Sequence, residues 1–300
     1  RIENKYYGTF DAALAAAQEG NTITVLAPVV ITEDKTYDLT GLTVAGENVY
    51  PIFRIQNNAE VTVKGEGTIM NDDYVFVVGA SDASSAGNLT IENGTYIGET
   101  TVAQVTLGNL TIKGGRFSIT DVEPYDYAYL INCKDANYTN GTADVKIYGG
   151  TFVGFDPENN AAEGANTNFC AQGYGAVENP TDVWTVVPKQ TAEVKDGWNW
   201  FSYYVEGNVL DQLQNSLGAA GVQIKSRTQF TQYSNGNWDG TLVSTTPAES
   251  YKINVNADAV INVSGNIVDP STCDIELNND NGNGAWNWIG YPLAQETSVA

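Results

Sequence analysis

The chain has 300 residues, 42% of them apolar, with 36 acidic against 14 basic side chains and a formal charge of −22. That length suits about two domains with real cores, and so acidic a surface repels phosphate backbones and anionic lipid, leaving nucleic acid and bare membrane as poor partners. Histidine is absent, which removes the usual general base, the commonest metal ligand and every imidazole-dependent triad.

Thr9 to Gly20 predicts a short amphipathic helix: Thr9 caps it, alanines fill it, Phe10, Leu14 and Ala17 share a face, and Gly20 ends it. Ahead of strand-like sequence, such a helix serves as a cap over an open first layer. Thr22 to Leu26 and Val29 to Thr32 read as the first strands, and Leu39 to Gly46 begins regular coiling. A phrase of alternating strand, glycine corner and second strand then occurs four times, at Val61 to Ile69, Leu89 to Ile97, Leu110 to Phe117 and Val145 to Val153. Aligning it on Val63, Ile91, Ile112 and Ile147 gives steps of 28, 21 and 35 residues. Repeats of this length signal a solenoid, whose units bury their apolar faces only by stacking. Glycine suits the corners because it takes positive φ without a Cβ clash. The expected fold is mainly β, a right-handed parallel β-helix over residues 1–188 with an N-terminal capping helix. Within it, Val75 to Val78 reads as a continuous apolar strand, Tyr125 to Cys133 as aromatic and strand-like, and Lys134 to Gly141 as a protruding loop.

From Thr191 the pattern changes. Residues 189–272 read as a small α+β module opening on Gly197-Trp198-Asn199-Trp200, with a helix from Val209 to Leu217. Strands are expected at Val222 to Ser226, Gln229 to Tyr233, Trp238 to Leu242, Tyr251 to Val255, Ala259 to Val263 and Cys273 to Leu277. Trp286-Asn287-Trp288 repeats the opening phrase, so residues 273–300 read as the start of a second, truncated module packed on the first. The start at Arg1, with neither Met nor signal peptide, reads as a processed product or a section of a longer protein.

The stretch Gly149 to Val187, with its Gly-Gly-Thr-Phe, Gly-Phe-Asp-Pro and Trp-Thr-Val-Val phrases, resembles the closing turn of β-helical, pectin-lyase-like surface and fibre proteins of gut bacteria and their phages. The phrases around Trp198, Trp238 and Trp286 resemble tandem "GWNW" modules near the carboxyl end of secreted proteins of gut bacteria. These resemblances imply an extracellular, cell-surface or virion-surface location and an architecture rather than an activity.

Three chemistries are open. Parallel β-helices include many polysaccharide-cleaving enzymes, and here Asp72 and Asp73, with Arg54, Lys64, Lys113 and Arg116 as cations, are the catalytic candidates. The bland reading of Asp72 and Asp73 is a solvated turn, because Asn and Asp hydrogen-bond locally. Trp198 and Trp200 share a strand face, as do Trp286 and Trp288, either as core or as plates for sugar rings with Asn199 and Asn287 bonding hydroxyls. The core reading is the simpler, which leaves Tyr233, Trp238 and Asn237 as the ligand-binding candidates. No cofactor or metal is expected; Ca²⁺ is the one ion these loop oxygens could suit, with Asp280 in an Asn-rich loop and Asp156, Glu158 and Glu163 in an acidic one as candidate ligands. A plain connector is the simpler reading, since the Asn-rich loop lacks a distal acidic ligand. The three cysteines form no zinc pattern, and Cys133 and Cys170 read as buried thiols or as a disulfide between neighbouring rungs. No apolar run approaches the ~20 residues that span a bilayer.

The expected role is a non-catalytic structural or adhesion protein that binds or presents glycan or a surface partner. A carboxylate-dependent polysaccharide lyase or hydrolase, and a phage fibre or capsid-decorating protein, are the alternatives. A monomer or a fibre-type homotrimer fits.

Overall fold

The computed structural model describes residues 1–120, 129–278 and 286–294. The strand-like text before Tyr129 and the loop holding Asp280 lie outside the described residues. The chain is mainly β and divides into two compact units, Arg1–Val186 and Val187–Ala300. Among the described residues no helix is long and apolar enough to cross a membrane.

In the first unit the strands are short, and the chain visits three parallel sheets in turn. One sheet holds Thr22–Val25, Thr43–Gly46, Thr68–Met70, Thr95–Gly98, Arg116–Ile119 and Thr151–Val153. A second holds Val29–Ile31, Phe53–Ile55, Phe76–Val78, Ala103–Val105 and Ile131–Cys133. The third holds Lys35–Asp38, Glu60–Lys64, Gly87–Ile91, Gly108–Ile112 and Ala143–Ile147. Parallel sheets visited in rotation are consistent with a β-helix-like fold. The four residues used to align the repeat stand in one file: Val63 opposite Ile91, Ile91 opposite Ile112, and Ile112 opposite Ile147. The unequal steps between them therefore reflect extra residues placed outside the strands.

Alternation sends every second residue of these strands inward. Tyr96, Phe117 and Phe152 are fully buried and stack face to face, with centroids 5.0 and 4.9 Å apart, close to the spacing of neighbouring strands. Just before the strand Arg116–Ile119, Gly115 has φ 106°, and a Cβ there would stand 2.9 Å from the Gly94 carbonyl oxygen, just before the neighbouring strand. Only glycine combines that conformation with that approach.

The predicted first helix forms over Phe10–Ala16, with Thr9 Oγ1 accepting from Ala12 N at 3.1 Å. It stops short of Gly20 because Ala17 is already extended, and its buried side is Phe10 and Ala13, with Leu14 and Ala17 only partly covered. Phe10 meets Tyr37 and Phe53 edge-on. The stretch expected as a protruding loop is a short helix, Asp135–Thr139, held by Asn137 Nδ2 donating to Thr106 O and by Tyr138 edge-on to Phe169. Cys133 lies in the second sheet, whereas Cys170 bridges Ile147 of the third, so the two do not stack in one file and the disulfide reading falls.

The second unit is built on a five-stranded antiparallel sheet in the order Gly197–Phe201, Tyr251–Val255, Gly221–Lys225, Phe230–Ser234, Asn237–Gly240. One face carries Phe201, Tyr251, Ile253, Val255 and Ile224, all buried. The helix Leu210–Leu217 adds Leu210, Leu213 and Leu217 to the same core. Its polar side chains complete the strand Ala259–Ser264: Gln212 bonds Ser264 N and O, and Ser216 bonds Asn262 N and O. Occupying an edge in this way blocks it from pairing with another chain. Cys273 to Leu277, expected as a strand, has no ladder partner among the described residues and follows the turn Pro270–Thr272 with Leu277 exposed. The repeated phrase at Trp288 joins the unit through Ser250 N donating to Trp288 O and Gly290 N to Ala248 O.

Candidate ligand-binding face

The other face of the second unit's sheet is open. Parity decides its contents: Phe201 turns into the core, so Trp200 and Trp198 turn out, 58% and 51% exposed. The expectation that the Trp-Asn-Trp phrase is core is therefore overturned. The area rule that favours a buried tryptophan acts on the whole sheet, and Phe201, Tyr251 and Ile253 already fill the interior. Across the strands Trp200 stands opposite Lys252 and Trp198 opposite Asn254. Lys252 in turn faces Lys225, and Asn254 faces Gln223. Phe230 faces Lys225, and Gln232 faces Gln223. Two files of side chains thus cross the open face, one of Trp200, Lys252, Lys225 and Phe230, the other of Trp198, Asn254, Gln223, Gln232 and, on the last strand, Asp239.

Trp288 completes this surface. Its ring meets Trp200 at 4.8 Å and 76°. The Lys225 ammonium stands 5.4 Å from the Trp198 centroid and 5.6 Å from that of Trp288. The Lys252 ammonium stands 4.6 Å from Trp200 and 5.5 Å from Trp288. Indoles and ammonium groups alternate, so cation–π attraction holds the plates and the charges in fixed places. Trp288 also lines an open cleft of about 570 Å³, together with Arg227, Glu249, Asp274, Glu276 and Asn287 among others.

The asparagines of the two phrases have another task. Asn199 bonds the backbone N and O of Lys195, and Asn287 bonds the backbone N and O of Asn278. Each amide clasps an upstream residue of its own chain, which corrects the reading in which they meet ligand hydroxyls. The amides facing out are those of Asn254, Gln223 and Gln232, and their alternation with Ile253 and Ile224 is the signal in the sequence that marks them.

Tyr233 and Trp238 pair at 5.4 Å on the sheet's core side. Trp238 is half-buried, its ring so close over Gly221 that a Cβ there would be 2.5 Å away. Asn237 is exposed beside them in the turn. Tyr233 and Trp238 therefore lie on the opposite side from the tryptophan face, whereas Asn237, paired with Ser234, has the parity of Gln232 and lies at the far edge of the open face.

In the first unit Asp72 and Asp73 form a turn. Asp73 Oδ1 accepts from Tyr74 N, and buried Asn71 donates to Val49 O and Tyr74 O. Arg116 lies two strands away, in register with Thr68, so strand spacing alone separates it from the aspartates by about 10 Å. Lys64 pairs with Asp38, Lys113 with Glu92, and Arg54 donates to Ser81. The structure does not bring these candidates together. Asp156 Oδ1 accepts from Glu158 N and Asn159 N, Glu158 Oε2 from Ala176 N, and Glu163 Oε1 from Cys133 N. These carboxylates cap separate backbone donors, and no metal-binding cluster occurs among the described residues.

Glu163 is nonetheless unusual. Burial pushes its carboxyl up to about 7, opposed by the Cys133 N–H and aided by Asp135. Its Oε2 and the Asn132 Oδ1 are buried without a hydrogen-bond partner among the described residues. Burial also pushes the Cys133 thiol far up, with Glu163 adding to it, which keeps that sulfur unreactive.

Compared with known proteins, the chain finds no matching family model, no matching curated protein and no matching solved structure.

Proposed function

We propose that this is a non-catalytic adhesion protein of a cell or virion surface, in which residues 1–186 form a right-handed parallel β-helix and residues 187–300 bind glycan. The observation that carries the reading is the open sheet face with Trp198, Trp200 and Trp288 presented beside outward amides. Flat indole faces stack on the C–H faces of sugar rings, and amides match hydroxyls as both donors and acceptors. A large exposed aromatic patch on a folded domain marks an interaction site more often than a packing accident. A stacked β-helix suits the other half of the role, because its core tolerates variation in side loops while the rod stays stiff.

The test is retention of the purified chain on a panel of immobilised glycans, with product release followed in the same wells. Retention on at least one glycan without cleavage, lost in Trp198→Ala/Trp200→Ala with an unchanged circular dichroism spectrum, is the expected result. Retention that survives the double substitution, or release of new reducing or unsaturated ends, would overturn it.

A further inference from the structure

The open face carries a feature that sugar stacking alone does not require. Lys225 and Lys252 stand directly opposite each other on neighbouring strands. Like charges so placed repel, and among cross-strand pairs they are the disfavoured kind. The chain has 36 acidic side chains. Yet among the described residues neither lysine is in an ion pair or a side-chain hydrogen bond, although Lys35, Lys146 and Lys195 all are. Each ammonium is instead held over indole rings, both of them within 5.6 Å of the Trp288 centroid. A cation–π contact positions an ammonium without using up its three N–H donors. Two fixed cations with free donors, converging on one aromatic plate, are complementary to a single small anion seated against that plate.

The remaining surroundings limit how much charge the ligand carries. A protein of charge −22 repels a densely charged polymer. The cleft that Trp288 also lines presents Glu249, Asp274 and Glu276 with Arg227. Carboxylates there repel a second anion but accept hydrogen bonds from hydroxyls. The face is therefore polarised, positive at the lysines and negative at Asp239 on the last strand and in the adjoining cleft.

We infer that the ligand is a glycan bearing one isolated carboxylate sugar, with that carboxylate between Lys225 and Lys252 and its neutral neighbours directed toward the cleft that Trp288 also lines. This rests on the glycan-binding reading above and adds the class of sugar. Single-stranded nucleic acid shares the combination of aromatic plate and cation, but its phosphate at every unit meets the cleft's carboxylates and the net charge unfavourably.

The experiment is a set of calorimetric titrations of the full chain at low salt with matched pairs: sialyllactose against lactose, and a xylo-oligosaccharide carrying one glucuronate against the unsubstituted one. Oligo-dT serves as the densely charged comparator. At least one acidic member should bind about tenfold more tightly than its neutral partner, the size of one charge-assisted contact. In Lys225→Gln/Lys252→Gln the acidic and neutral members, both titrated into that variant, should bind with equal affinity. Equal affinity for acidic and neutral members overturns the charge inference and leaves glycan binding standing. So does a preference that survives the lysine substitutions. Tighter binding of oligo-dT than of any oligosaccharide, or no binding of any member of the set, overturns the charge inference together with its premise.

Discussion

Two sets of aromatic residues sit in strands of alternating pattern and end in opposite places. Tyr96, Phe117 and Phe152 are buried in a stacked file inside the first unit, whereas Trp198 and Trp200 stand on the outside of the second unit's sheet. In both, residues two apart share a face, so periodicity is equally satisfied. The difference lies in the intervening positions. Around Phe117 the alternates are Arg116 and Ser118, so the aromatic face has no competitor for the interior. Around Trp200 the alternates are Asn199 and Phe201, and Phe201 wins because its cross-strand neighbours Tyr251 and Ile253 are on its side. Which face of a strand is core is thus a property of the sheet rather than of the strand.

The sharpest way to break this comparison is to truncate one residue of each set and compare the losses. Phe117→Ala empties a site packed on both sides and should cost about 3–5 kcal/mol, read as a lowered urea midpoint of the first unit. A loss below ~1 kcal/mol would mean that the file is not the core that the burial indicates. Next in size is Gly115→Ala. Positive φ and the 2.9 Å approach to the Gly94 carbonyl should together cost about 1–3 kcal/mol. The same change at Gly141, also of positive φ but with nothing within 4 Å of a Cβ, should cost less. Equal losses at the two would show that conformation alone, without the contact to the Gly94 carbonyl, sets the penalty.

These contrasts mark what is legible in the sequence. The file Val63, Ile91, Ile112, Ile147 can be read from the residues alone, because one repeat supplies its own comparison four times over. The first helix is legible from Thr9 and the alanines, but not its end, since Ala17 leaves the helix where composition would continue it. The tryptophan face is not legible from the Trp-Asn-Trp phrase itself. It needs the alternation Ile224–Lys225 and Ile253–Lys252 to be set in register with Phe201–Trp200, and register between strands some 25 residues or more apart is not local information. The helix Asp135–Thr139 escapes a sequence reading for a similar reason, since Asn137 and Tyr138 are fixed by Thr106 and Phe169 from other parts of the chain.

Glu163 is intermediate between the two sets, a polar group drawn half inside to cap the backbone of a last strand. Its folded pKa of about 7 lies above the ordinary carboxyl value of 4.5, so the folded state holds the proton more tightly. The stability this gives is fully present below about pH 4.5 and is lost as the pH rises through 7. Solvent reaches part of the side chain, and screening discounts the effect to about 1 kcal/mol at pH 8. Glu163→Gln keeps an oxygen for the Cys133 N–H and cannot ionise, so its stability should be flat over this interval and exceed the parent's at pH 8. Parallel pH profiles for the two proteins would show that the carboxyl does not titrate there.

The smallest effect is expected where the ring is largest. Among the described residues Trp198 has no aromatic partner of its own, only the Lys225 ammonium at 5.4 Å, and half of its surface already meets water. Trp198→Ala should change the stability of the second unit by no more than about 0.5 kcal/mol, an order of magnitude below Phe117→Ala. A loss of about 2 kcal/mol or more would identify the indole as part of the packing and remove the argument that it is held ready for a ligand. A near-zero loss has a further consequence. An indole that adds so little to folding, set beside two lysines in mutual repulsion, is costly in solubility, and only an interaction outside the fold accounts for the arrangement. Unaltered stability in Trp198→Ala combined with lost glycan retention would therefore separate the two sets of aromatics by role as cleanly as parity separates them by face.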